Sequence, residues 1–162
     1  MRYREPRSGG LAVLGLTVVR LVLGAWWIAQ YRWKPPPTFG CPNDGFCWWL
    51  SKEVQYPVIG QYVDLLRVIV LPNPILAAWL VFLVETAIGI SLVLGLYTRL
   101  GAFVGTLWSV TLLIGLVGIP GVTTWSYLTV VLLDVLFFSI GSMSQLAVDR
   151  ILYTRSWWAG SG

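Results

Sequence analysis

Histidine is absent from this 162-residue chain, which removes imidazole as a ligand for haem, copper or zinc and as a proton shuttle near neutral pH. Charge is scarce too: 11% of residues are Asp, Glu, Lys or Arg, against 57% hydrophobic. A soluble domain carries about 25% charged residues, so water is not the main solvent of this chain. The two cysteines, without histidine, are too few for a metal site, so no metal is expected. No separate soluble catalytic domain fits either, because the only sizeable piece between apolar stretches is the loop 32–73.

What is present is apolar length. Four stretches, 9–31, 74–97, 100–119 and 125–147, are long enough to cross a hydrocarbon core, which takes roughly 20 helical residues. We therefore predict an all-α integral membrane four-helix bundle, a single transmembrane domain over 1–162, lying in the cell membrane in contact with lipid. The first stretch follows Arg2, Arg4 and Arg7 as a signal peptide would, but it is too long, carries Arg20 and ends in Trp26-Trp27-Ile28 without a small-residue cleavage site. It is expected to be retained.

The net charge of +4 is a topology signal and not a nucleic-acid footprint, since no basic stripe forms. Arg2, Arg4, Arg7, Arg99, Arg150 and Arg155 share one side if the spans alternate, which puts both termini in the cytoplasm and the loop 32–73 outside. Trp26, Trp27, Trp33, Trp79 and Trp125 then read as an outer aromatic belt. Inside the loop, Pro35-Pro36-Pro37 forbids helix and the chain through Gly45 reads as irregular. From 58 to 71, Gln61, Asp64 and Arg67 recur every third position among apolar residues, which predicts a short interfacial helix. Gly101 and Gly105 form a Gly-x-x-x-Gly step suited to close helix contact.

Arg20, Glu85 and Asp134 each lie near the middle of a span. A charge facing lipid costs at least about 2.5 kcal/mol, so all three are expected to turn inward and meet at one depth, with Arg20 bridging both carboxylates. Two readings follow. The cluster is a buried ion network that fixes helix register, or it relays protons as the catalytic centre for a membrane quinone, with Trp108 or Phe137 lining the ring pocket.

Cys41 and Cys47 bracket Pro-Asn-Asp-Gly-Phe, a sequence rich in turn formers. On the outer side they read either as a structural disulfide or as a redox-active pair with Lys34 and Lys52 near enough to lower a thiol pKa and to attract a sulfur oxyanion substrate.

The chain resembles the DoxX/DoxD family of small four-helix membrane proteins. The resemblance is carried by Arg20-Leu-Val-Leu-Gly24, Lys34, the run from Glu85-Thr-Ala-Ile-Gly89 through Gly95-Leu-Tyr-Thr-Arg99 to Ala102, and Gly141-Ser-Met-Ser-Gln-Leu-Ala-Val-Asp149. The long tryptophan-rich first loop looks more like the DoxD branch, the small subunit of thiosulfate:quinone oxidoreductase. That resemblance implies oxidation of thiosulfate to tetrathionate, electrons passed to membrane quinone, and a second, DoxA-like subunit. The competing expectation is a non-catalytic accessory subunit of a larger respiratory or photosynthetic membrane complex.

Overall fold

In the computed structural model, residues 8–140 are described. Arg2, Arg4, Arg7, Arg150 and Arg155 of the orientation argument, and the Gly141–Asp149 part of the resemblance, lie outside the described residues. All regular structure within them is helical. The long helices are α1 (Ser8–Ala29), α4 (Pro74–Leu94), α5 (Thr98–Leu116) and α6 (Thr124–Ile140); the loop between α1 and α4 holds α2 (Gly45–Gln55) and α3 (Gly60–Leu65), which continues as a π-helical turn over Leu66–Val70.

Local sequence explains the ends. α1 tightens into a 3-10 turn over Gln30–Trp33 and stops before the three prolines. Pro74 sits at the start of α4, where its missing N–H loses nothing. Gly95 closes α4 in the left-handed conformation at φ 66°, and the Leu96 N–H donates to the Ser91 carbonyl at 3.1 Å, satisfying one of the carbonyls that the helix leaves free. α2 carries its apolar residues as the cluster Phe46, Trp48, Trp49 and Leu50 and not as a clean helical stripe, so periodicity gives it no signal.

Three helices are long and apolar enough to cross a membrane, Gly10–Trp33 (α1 with its 3-10 extension), α4 and α5, and α6 is apolar but shorter within the described residues. They form the helical bundle of a multi-pass membrane protein. α1 packs chiefly on α4 and α5 on α6, with α4 against α5 and α1 touching α6. Outward faces are studded with exposed Leu, Val, Ile and Phe, as lipid-facing surface is.

Small residues set the closest approaches. A Cβ on Gly24 would lie 2.9 Å from the Gly89 carbonyl, and one on Gly89 would lie 2.8 Å from that of Gly24, so only glycine lets α1 and α4 meet here. Gly101 faces Ser91 of α4, while Gly105 faces Asp134 of α6, where a Cβ would stand 2.8 Å from Oδ1. The Gly-x-x-x-Gly step thus contacts two neighbours at once. Around it, Leu23, Trp27, Ile88, Leu92, Ala102, Val130 and Phe137 form the buried core.

Candidate functional site

The Gly24–Gly89 crossing fixes helix register and separates the three mid-span charges. Arg20 lies one turn of α1 to one side of that crossing, and Glu85 lies one turn of α4 to the other. At 1.5 Å per residue they stand roughly 12 Å apart along the bundle. Arg20 is buried, but neither Glu85 nor Asp134 takes it as ion-pair partner. The expectation of one cluster bridged by Arg20 is corrected on this point. Midpoints of apolar stretches are a poor measure of depth, because close packing at a glycine pair decides how two helices slide past each other.

The partner of Glu85 is Lys34, placed by sequence in an outer anion site. Its Nζ lies 2.7 Å from Oε1 and 2.6 Å from Oε2 of Glu85, and the two side chains are 1% and 3% exposed. The 3-10 turn after α1 curls Lys34 back over the bundle, with its ammonium 4.5 Å from the centre of the Trp33 ring. A buried ammonium alone would be expensive, so the pair forms as a unit. Nothing in the pattern of a polar loop marks one lysine for burial, which is why sequence reasoning put it in an exposed anion site.

Asp134 is buried separately, in the close-packed part of the bundle. Trp27 Nε1 donates to its Oδ1 at a long 3.5 Å, Ser109 lies beside it, and Oδ2 makes no hydrogen bond among the described residues. Trp27 is 0% exposed, so it belongs to the core and not to an aromatic belt. Phe137 is likewise core and is not among the residues that line the cavity beside Glu85. Trp125 does stand out toward the surroundings.

Lys34 and Glu85 open onto a cavity of about 510 Å³ at the loop end of the bundle. It is built from the last turns of α1 and α5 and the first turns of α4 and α6, and roofed by α2 and α3. Its walls are mostly apolar and aromatic, with Trp26, Trp33, Trp49 and Trp108 among them. Trp108, a predicted ring-pocket residue, is indeed here: its buried indole N–H turns toward Glu85 without completing a hydrogen bond of regular geometry. Such volume and lining suit a flat apolar ligand with a few polar atoms.

A second polar pair lines the same cavity and was missed from sequence. Tyr62 Oη donates to Glu53 Oε2 at 2.6 Å. Gly115 of α5 makes the space: a Cβ there would lie 2.6 Å from Glu53 Oε2 and 2.9 Å from Tyr62 Oη. Burial pushes the Glu53 carboxyl above its ordinary range, and the hydrogen bond from Tyr62 opposes that in part.

Lys52 stays outside this cavity, bonded to Gln55 Oε1 at 3.1 Å and leaning on Trp48 and Tyr56. Cys41 and Cys47 are joined as a disulfide. The bond ties the loop to the first turns of α2, next to the cavity residues Phe46 and Trp49. Among the described residues no group of His, Cys, Asp and Glu is arranged to hold a metal ion.

Residues 58–118 match the DoxX family model. The matched region runs from α3 through α4 and α5, and so contains Glu85, Trp108, Tyr62 and the Gly95–Arg99 turn, while α1, α2 and α6 fall outside it. No curated protein and no solved structure matches the chain.

Proposed function

We propose that this chain is the quinone-binding membrane subunit of an oxidoreductase of the thiosulfate:quinone type, and that the cavity at the loop end takes the quinone ring. The observation that carries the reading is the buried Lys34–Glu85 pair on the wall of an aromatic cavity inside a lipid-facing bundle. Reducing a quinone to a quinol adds two electrons and two protons to the ring oxygens, and oxidising two thiosulfates to one tetrathionate releases two electrons. The fit to this chain lies in the proton half. Lys34 presents N–H donors to a ring oxygen and Glu85 holds the compensating charge, in a setting where hydrogen bonds to ions are strong. Trp108 offers a further donor and, with Trp26, an apolar wall for the ring.

The sulfur half rests on a partner. With Lys34 buried and the two cysteines bonded to each other, this chain keeps Lys52 as the remaining cation of the anion site that the sequence suggested. A second subunit of the DoxA kind then binds thiosulfate and delivers its electrons at the loop end.

The test is reduction of a soluble quinone analogue, followed by absorbance, in membranes containing the chain and its partners, on adding thiosulfate. Glu85→Gln removes the counter-charge of Lys34 but keeps an acceptor for its N–H groups, so it is expected to destabilise the bundle less than Glu85→Leu does; turnover per folded protein is expected to fall at least about a hundredfold, within the range of proton-transfer catalysis. Unchanged turnover in folded Glu85→Gln, or no turnover with the full set of membrane partners, would return the chain to an accessory role.

A further inference from the structure

The cavity has a polar pair at each end, and their separation restricts what lies between them. Trp108, beside Glu85, and Gly115, against which Glu53 and Tyr62 rest, are both on α5 and seven residues apart. The helical rise sets the two α5 positions against which the pairs rest about 10 Å apart. Thr111, Leu112 and Leu116 line the wall between them, so the stretch is one continuous face of the cavity. With a hydrogen bond of about 2.8 Å at each end, a spacing of that order suits a ligand whose two acceptor atoms are about 5 Å apart. That is the span between two oxygens placed across one six-membered ring.

Both ends supply donors. At one end stand the Lys34 ammonium and the unfilled Trp108 N–H. At the other, Tyr62 already occupies Oε2 of Glu53, which leaves Oε1 for a ligand. We propose that Glu53, held in place by Tyr62, is the second end of a two-ended ligand site whose first end is Lys34–Glu85 with Trp108, and that it takes rings bearing an acceptor oxygen at both para positions. This rests on the quinone reading above and adds to it a ligand-contacting residue and a selection rule. Burial of Glu53 favours its protonated form, the one that can donate to a carbonyl oxygen.

The groups facing Glu53 are Tyr62 from α3, Tyr127 from α6, and Lys34 and Glu85 across the cavity; the charge on α5, Arg99, is in its first turn at the far end from Gly115, and on α2 itself Lys52 points elsewhere. No cation pairs with Glu53 among the described residues. Affinity for a two-carbonyl ligand is therefore greatest while Glu53 is neutral and falls as pH rises through its raised pKa. Once the ring is reduced to a quinol, its hydroxyl donates instead, and an ionised Glu53 becomes the better partner.

The experiment is calorimetric titration of the full chain in detergent with para-naphthoquinone and, separately, with alpha-tetralone, a ring of similar size with one carbonyl. Glu53→Leu is expected to weaken para-naphthoquinone by about tenfold or more, a usual net value for one hydrogen bond, and to leave tetralone, anchored at the Lys34 end, unchanged. Glu53→Gln, which retains a donor, is expected to bind para-naphthoquinone nearly as well as the parent but with no dependence on pH near the Glu53 titration. Circular dichroism melting of each variant checks that it is folded. Wild-type binding of para-naphthoquinone that Glu53→Leu leaves intact, or that it weakens equally for both ligands, overturns the second end and spares the quinone reading. Binding of neither ligand by the wild type overturns both.

Discussion

The two ends of the same bundle are built on opposite rules. Away from the loop, glycine and serine bring helices into contact: Gly24 on Gly89, Gly101 on Ser91 and Gly105 on Asp134. The space that remains is filled by Trp27, Leu92 and Phe137. Toward the loop the facing residues are Trp26, Val81, Trp108 and Leu112, which hold the helices apart, and two short helices from the loop roof the gap. The polar groups follow suit. Asp134 sits in the close-packed half with an indole and a hydroxyl beside it, whereas Lys34, Glu85, Glu53 and Tyr62 all face the cavity. Close packing by small residues in one half lets the other half stay open without unfolding the whole.

The largest expected effect tests the open half. Glu85→Leu leaves the Lys34 ammonium buried without its counter-charge and should destabilise the protein by about 3–5 kcal/mol, while the double change Lys34→Met with Glu85→Leu should recover most of that loss. Thermal unfolding in detergent decides it. A double variant as unstable as the single one would mean that the pair is not acting as a unit.

Next comes the closed half. Gly89→Leu pushes a side chain into Ile28 and the Gly24 carbonyl and should destabilise by about 1–3 kcal/mol or more. A similar change at Gly10, where nothing lies within 4 Å, should do little. Equal effects at the two sites would erase the contrast between contact and lipid-facing glycines.

Removing the disulfide with Cys41→Ser and Cys47→Ser should lower stability by about 2 kcal/mol for so short a loop. The loss should be confined to the roof. Limited proteolysis is expected to cut first within 34–45, with the bundle intact, and cleavage starting in α5 or α6 would contradict a roof that opens separately.

The smallest effect is the pH response of Glu53. Its folded-state pKa is raised by burial above the unfolded value, so the folded state binds the proton more tightly. The stability this contributes is complete below the ordinary carboxylate pKa and is lost as pH rises through the raised value. Glu53→Gln should flatten that decline, seen as a melting temperature that changes less between about pH 4 and about pH 8. A wild-type curve already flat over this window would contradict it.

Much of the architecture could be read from local signals, and much of the site could not. Pro35 to Pro37 end α1's extension, Pro74 opens α4 and Gly95 closes it, all at positions where backbone sterics act within a few residues. Lys34 and Glu85, by contrast, are 51 residues apart in sequence. No periodicity links a loop lysine to a mid-helix glutamate. Arg20 looked the better partner only because both sit mid-stretch, and the offset introduced at Gly24 and Gly89 undid that inference. Glu53 and Tyr62 gave still less signal, being ordinary polar residues of an amphipathic loop.

Apolar length alone is enough to make this chain a helical membrane protein, because hydrocarbon imposes long apolar stretches and internal backbone pairing whatever the partners. Local sequence also sets where the helices break. Which charges meet is a matter of packing, since it depends on helix register and on how a loop folds back over the bundle. Close contacts between glycines set the register, and burial of the Lys34 ammonium against Glu85 places the start of the loop at the cavity.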